Sequence, residues 1–420
     1  MKADTEFVVK SLHLTSALAL IVGATVCWAQ SSTSSRKVAP PAGAAVQRAL
    51  SLEKEGKLPE AEEAWQSVVK LQPRNGQAYA HLGLLEAHQE HYPEAIADYR
   101  KAYALNPEIP QLRLNLGLAL FKSGNFRDAA TVFLSELKKH PNDAEHQRLT
   151  ILVAMSYYGL HDYKAAIPYL KEAAAADQQN LPLRLALAHS YLWTKQMDAT
   201  MDVYKEILLI DPDSAEADMI AGEALDGKGD NAGAVQQFRA AAKANPKEPN
   251  VHFGLAYLYW TQKRYEEAIP EFKAELDNDP QNNQAMIYLG DTYVQQNDFD
   301  KAKAVLEEAN RFQTTDPLIH LDLGIVYMET GESPTAIREF NKTVELEPDN
   351  VAAHFRLAKI YQSTGKREEA KVEFAKASAL NKKTDEGLYN RIAAANARPD
   401  PKAAPVKPAD SAPLTKAEPR

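Results

Sequence analysis

The sequence predicts an all-α solenoid of about ten helix-turn-helix repeats, and three observations carry that prediction. A Gly or Ala recurs at Ala49, Gly83, Gly117, Ala154, Ala188, Gly222, Ala256, Gly290, Gly324 and Ala358, spaced by 34 residues except for 37 between Gly117 and Ala154. Twelve residues later comes Ala, with Thr200 the one exception, and four further on a large side chain such as Trp65, Tyr99, Phe133 or Phe340. In seven repeats a proline follows eight residues after that, from Pro73 to Pro348. With the first small residue counted as position 8, the others fall at positions 20, 24 and 32.

Each position has a physical role. The small residues at 8 and 20 let two helices approach closely, and the large residue at 24 fills the space beside them. Proline at 32 lacks an N–H and clashes with the preceding turn, so it stops the second helix. One such pair cannot bury its apolar face alone, so stability must come from stacking neighbours. Only 18 glycines in 420 residues argue against strands joined by tight hairpins. The repeats span residues 42–384.

The segment "YAHLGLLEAHQEHYPEAIADYRKAYALNP" shows these features at full strength, and with it the chain resembles the tetratricopeptide repeat family over roughly four fifths of its length. The resemblance implies a right-handed superhelix whose inner wall binds peptides through positions 2, 5, 9 and 12 of the first helices. Departures from the pattern are local: Thr200 for Ala, Leu170 and Leu306 for an aromatic, and Gln178, Thr314 and Lys382 for Pro.

Read at those positions, the inner wall is apolar and aromatic. Position 5 contributes Leu114, Ile151, Leu185 and Phe253; positions 9 and 12 add Leu118, Phe121, Met155, Tyr158, Leu192, Tyr257 and Trp260, with Trp193 beside them. Contiguous apolar surface of this kind marks an interaction site when it is exposed, although part of it must pack between adjacent first helices. Acids interrupt it, among them Glu216, Glu223 and Asp226, so a client with apolar anchors and one or two basic residues is expected. The Lys at position 5 and Asn at position 9 with which some members of the family clamp a C-terminal carboxylate are both missing, as is the asparagine ladder of the sugar-transferring members.

Other chemistry finds little support. A net charge of −9 without a basic stripe disfavours nucleic acid. His88 and His91 stand three apart without the spacing of a zinc site, "GKGDNAG" lacks the spacing of a phosphate loop, and neither "DPDSAEAD" nor "DNDPQNNQ" has the Gly and Glu of a calcium loop. No Gly-x-Ser-x-Gly elbow occurs, and no cofactor is expected. The expected function is a non-enzymatic scaffold that binds a protein or peptide partner, with possible self-association. The alternative is a carbohydrate-binding module in envelope polysaccharide assembly, in which Trp193, Tyr257 and Trp260 would stack on sugar rings.

The two ends differ from the array. Lys2 and Lys10 precede the apolar run Leu14 to Ala29, so residues 1–29 read as a secretory signal cleaved between Ala29 and Gln30. The competing reading is a membrane anchor through residues 8–29, although about 16 apolar residues is short for a span. Cys27, the one cysteine, would be lost with the signal. An exported protein, periplasmic or extracellular, is therefore expected. Residues 30–41 read as a linker, 385–397 as a capping helix, and the Pro-, Ala- and Lys-rich 398–420 as an extended tail.

Overall fold

The computed structural model describes residues 40–141 and 144–396. The expected signal, most of the linker, and the tail 398–420 lie outside the described residues. These form twenty helices and no strand, in two compact units that divide after Asn282.

The first unit holds seven helix pairs. They are α1 (Pro40–Lys54) with α2 (Leu58–Leu71), α3 (Gly76–His88) with α4 (Tyr92–Leu105), and α5 (Leu112–Lys122) with α6 (Phe126–Leu137). Next come α7 (Ala144–Gly159) with α8 (Tyr163–Ala176), and α9 (Leu181–Trp193) with α10 (Met197–Leu208). Last are α11 (Ala215–Gly227) with α12 (Asn231–Ala244), and α13 (Val251–Thr261) with α14 (Tyr265–Asn278). The second unit holds three pairs: α15 (Asn283–Gln295) with α16 (Phe299–Phe312), α17 (Pro317–Glu329) with α18 (Ser333–Leu346), and α19 (Val351–Ser363) with α20 (Arg367–Asn396). Within each unit every helix packs on the next in sequence.

The core is the repeat pattern made solid. The small residue at position 20 is fully buried from Ala61 to Ala336, Thr200 included, because Thr200 turns its hydroxyl back onto the Gln196 carbonyl. The large residue at position 24 is buried in every repeat except the last, each side chain contributing about 1.5–3 kcal/mol. Leu170 and Leu306 fill that place as completely as Phe272 does. The close approach is visible at Gly117, where an added Cβ would lie 2.5 Å from the Phe133 ring.

Helix ends follow from local chemistry. Asn75, Asp162, Asn180, Ser214, Asp230 and Asn350 each accept a backbone N–H of the helix they precede. Every described turn inside a repeat carries one left-handed residue at position 15: Gly56, Gly124, Gly229, Gly331 and Gly365, but also Glu90, His161, Lys195, Lys263 and Asn297. The prolines at position 32 all fall between helices. Where Gln178 and Thr314 replace proline the helix still stops, because Asn180 and Asp316 cap the next one. Lys382 has no such successor, and α20 runs on unbroken to Asn396. The segment expected as a separate capping helix at 385–397 is therefore, as far as Asn396, the continuation of the last repeat's second helix.

Candidate functional site

The fourteen residues expected to line the groove divide by burial. Leu114, Phe121, Met155, Leu192 and Phe253 are buried and belong to the packing between helices, so they are not lining residues. Phe121 meets Phe126 edge-on at 5.3 Å, and Phe253 packs against Phe272. Leu118, Ile151, Tyr158, Leu185, Trp193, Glu223, Asp226, Tyr257 and Trp260 are half-buried. All nine stand on first helices of the first unit, α5, α7, α9, α11 and α13.

Between α7 and α9 the structure assembles a polar aromatic cluster. The Trp193 indole N–H lies 3.0 Å from His189 Nε2, and the Tyr158 hydroxyl lies 2.8 Å from His189 Nδ1. An indole nitrogen can only donate, so His189 Nε2 must accept, and the ring proton sits on Nδ1. His189 therefore donates to the Tyr158 oxygen, which leaves the Tyr158 hydroxyl proton for another acceptor. Burial, with His161 nearby, lowers the His189 pKa to about 4, so the ring is neutral at physiological pH. Tyr163, first residue of α8, stacks on Trp193 at 5.7 Å and meets Tyr158 edge-on at 5.5 Å, fixing both rings. Burial also pushes the Tyr163 hydroxyl up to about 12 and raises that of Tyr158 further, with Tyr163 and Glu216 adding to the second shift.

Next along the array, α11 presents its acids in an unusual state. Burial raises Glu223 to about 8, with Asp226 adding to it, and its Oε1 is shielded from solvent without a hydrogen-bond partner. Burial likewise raises Glu216 to about 7, with Glu248 contributing, and raises Asp226. These groups were expected to be plain negative charges. With burial the main cause and Asp226 adding to it, Glu223 instead holds its proton at neutral pH.

On α13 the groove positions make a ladder. Phe253 stacks on Tyr257 at 6.2 Å and Tyr257 on Trp260 at 5.7 Å, as residues four and three apart on one helix face must.

The sequence reading missed His189, Tyr163 and His161. The first fills position 9 of its repeat, where four of the ten repeats carry a polar side chain, His189, Glu223, Asp291 and Lys359. For Tyr163 a signal existed, since position 17 is aromatic in five repeats, at Tyr92, Phe126, Tyr163, Tyr265 and Phe299. Among the described residues no group of three or more His, Cys, Asp or Glu is placed to hold a metal, and no helix is long and apolar enough to cross a membrane.

Comparison with known proteins agrees with this architecture. Two family models, both described as tetratricopeptide repeat, match residues 46–110, 219–283 and 321–379, and residues 86–150, 157–223 and 259–322. The BBSome complex member BBS4 of Bos taurus is 21% identical over 287 residues, which is 68% of this chain and 54% of that protein. The RNA polymerase-associated protein CTR9 of Caenorhabditis elegans is 25% identical over 245 residues, 57% of this chain and 21% of that protein. The chain thus spans about half or less of the length of these two relatives. Among solved structures, the APC/C hetero-tetramer Cut9-Hcn1 matches with a TM-score of 0.46 and 18% identity, covering 76% of this chain and 62% of that one. With the tetratricopeptide models covering most of the sequence and helix pairs repeating throughout both units, the chain belongs to the tetratricopeptide repeat family.

Proposed function

We propose that this protein is a non-enzymatic adaptor that holds a segment of a partner protein against the first-helix face of α5 to α13. The single observation that carries this reading is the row of half-buried aromatic and aliphatic side chains, Leu118, Ile151, Tyr158, Leu185, Trp193, Tyr257 and Trp260, on one face of successive helices. Such side chains supply large contact area at low entropic cost, as interface anchors do. The unused proton of Tyr158 suits a main-chain carbonyl of the client. Glu223 and Asp226 suit a Lys or Arg side chain, which would deprotonate them on binding. The names of the two relatives, a complex member and a polymerase-associated protein, fit a scaffold.

The apolar run Leu14 to Ala29 supports an exported protein whose client is another envelope protein. The test is site-specific photo-crosslinking from Leu118, Leu185 and Trp260 in envelope fractions, with mass spectrometry of the products. A client reached from all three positions, and lost when Tyr158, Trp193, Tyr257 and Trp260 are replaced by Ala, is the expected result. Unchanged crosslinking in that variant would remove the groove from the reading. Glycan binding lost with the same replacements, and no protein product, would favour the carbohydrate alternative.

A further inference from the structure

Three histidines outside the groove share an arrangement that the adaptor reading does not use. His320, on α17, has Nδ1 2.7 Å from a Glu339 carboxylate oxygen on α18 and Nε2 2.9 Å from the Thr314 carbonyl. His354, on α19, pairs Nδ1 with Glu373 on α20, while Nε2 lies 3.0 Å from the Pro348 carbonyl. In the first unit, His146 faces the His140 carbonyl at 2.8 Å and Glu172 at 2.7 Å. His320 and His354 occupy position 4 of their repeats, their glutamates position 23, and the carbonyls position 32 of the repeat before. Each ring therefore joins three pieces of chain: its own helix, the second helix of its repeat, and the turn that enters the repeat.

The chemistry of the partners fixes what the ring must be. A carboxylate and a carbonyl both only accept, so the two bonds form together only when both ring nitrogens carry hydrogen. Either neutral tautomer turns a lone pair towards one of the acceptors and loses that bond. Both rings are almost fully buried, at 5% and 3% exposure, so water cannot replace the lost partner.

We propose that His320 and His354 are proton-operated clamps, which in their imidazolium form tie the last two repeats to the turns that precede them and which slacken when the proton leaves. Glu339 and Lys342 on α18 are the charged groups acting on His320: the hydrogen bond to Glu339 is the largest influence and raises its pKa, burial and Lys342 lower it, and with the Thr314 carbonyl also raising it the net shift is upward. Around His354 stand Glu373 and, 2.7 Å from Glu373, Lys376. Burial raises the Glu373 carboxyl, but its bonds to Lys376 and His354 outweigh this and lower it. The remaining buried charges of these helices form a separate set, in which Asp322 is raised by burial and by Asp291 and is lowered by Arg356.

The clamp contribution is complete below the ordinary histidine pKa of about 6.5 and fades as pH rises through the raised value of His320. Local opening of α17 should therefore become easier as pH rises through that value.

The test uses the full chain labelled with 15N-histidine, and hydrogen exchange read by mass spectrometry between pH 6 and 9 after correction for intrinsic exchange. The expected result is that both ring nitrogens of His320 and His354 are protonated at pH 6, and that protection of α17 and α19 is lost with rising pH. In the H320Q/H354Q variant that loss should disappear, while in D322N, which removes the raised carboxyl of α17, it should remain. Glu339→Gln with Glu373→Gln is the second variant pair should the histidine variant fail to fold, and the ring nitrogens of the unaltered chain need no variant. Singly protonated rings at pH 6, or a pH-dependent loss of protection that survives removal of the histidines or their glutamates, would overturn the proposal.

Discussion

His189 in the first unit and His320 in the second are equally buried, at 5% exposure each, yet they are held in opposite protonation preferences. The indole N–H of Trp193 faces His189 and excludes a proton from Nε2, whereas Glu339 and the Thr314 carbonyl face His320 and ask for a proton on both nitrogens. Burial alone lowers a histidine pKa. In one repeated scaffold, then, the partners at two or three positions decide the sign of the outcome. Positions 9, 12 and 13 build an aromatic cluster in one unit, and positions 4, 23 and 32 a histidine–glutamate packing contact in the other.

The pH dependence of the two regions follows. His189 binds fewer protons folded than unfolded between about pH 4 and 6.5, so its contribution grows as pH rises through that window. Glu223, raised from 4.5 to about 8, binds more protons folded than unfolded, so its contribution is lost as pH rises between those values. The first unit therefore contains opposing terms, while the His320 contribution runs only downward with rising pH.

The hardest test strikes what the two regions share. Gly222→Val and Gly324→Val each place a branched side chain where even an added Cβ would lie 2.7 Å from Phe238 or 2.5 Å from Phe340. Each should cost about 1–3 kcal/mol in urea unfolding. Unequal losses would show that the helix-pair contact is not a common foundation. A smaller change separates the regions: Trp193→Phe keeps the ring but removes the donor, at a cost of about 1 kcal/mol. The His189 pKa should then rise, read by NMR titration, and an unmoved value would mean that burial, not Trp193, holds the ring neutral. Glu223→Gln leaves stability at pH 5 nearly unchanged and flattens its decline between pH 5 and 8. The smallest effect is a gain, since Glu90→Gly relieves a left-handed residue at φ 62° and should raise stability by less than about 1 kcal/mol.

The architecture was legible because its signals recur. A small residue opposite a large one, repeated every 34 positions, cannot be read as anything but paired helices, and even Thr200, Leu170 and Leu306 keep their places in the core. The turn at position 15 was less legible, because Glu90, Lys195 and Lys263 conceal a conformation that Gly56 and Gly124 advertise. The lining was legible in part. Spacing alone cannot distinguish Met155, spent on packing, from Tyr158, three residues on and partly exposed, because adjacent first helices share that face. The role of His189 depends on a neighbour more than thirty residues away and the protonation of Glu223 on burial by the helices around it, neither of which a single helix records.

The unbroken course of α20 past Lys382 has a mechanical consequence. At 1.5 Å per residue, the fourteen residues from 383 to 396 extend the last helix by about 21 Å. A fluorescent protein or second binding module spliced in helical register after Asn396 would inherit the heading of the final repeat as a stiff outrigger. The same cargo joined beyond a restored proline at 382 would swing freely.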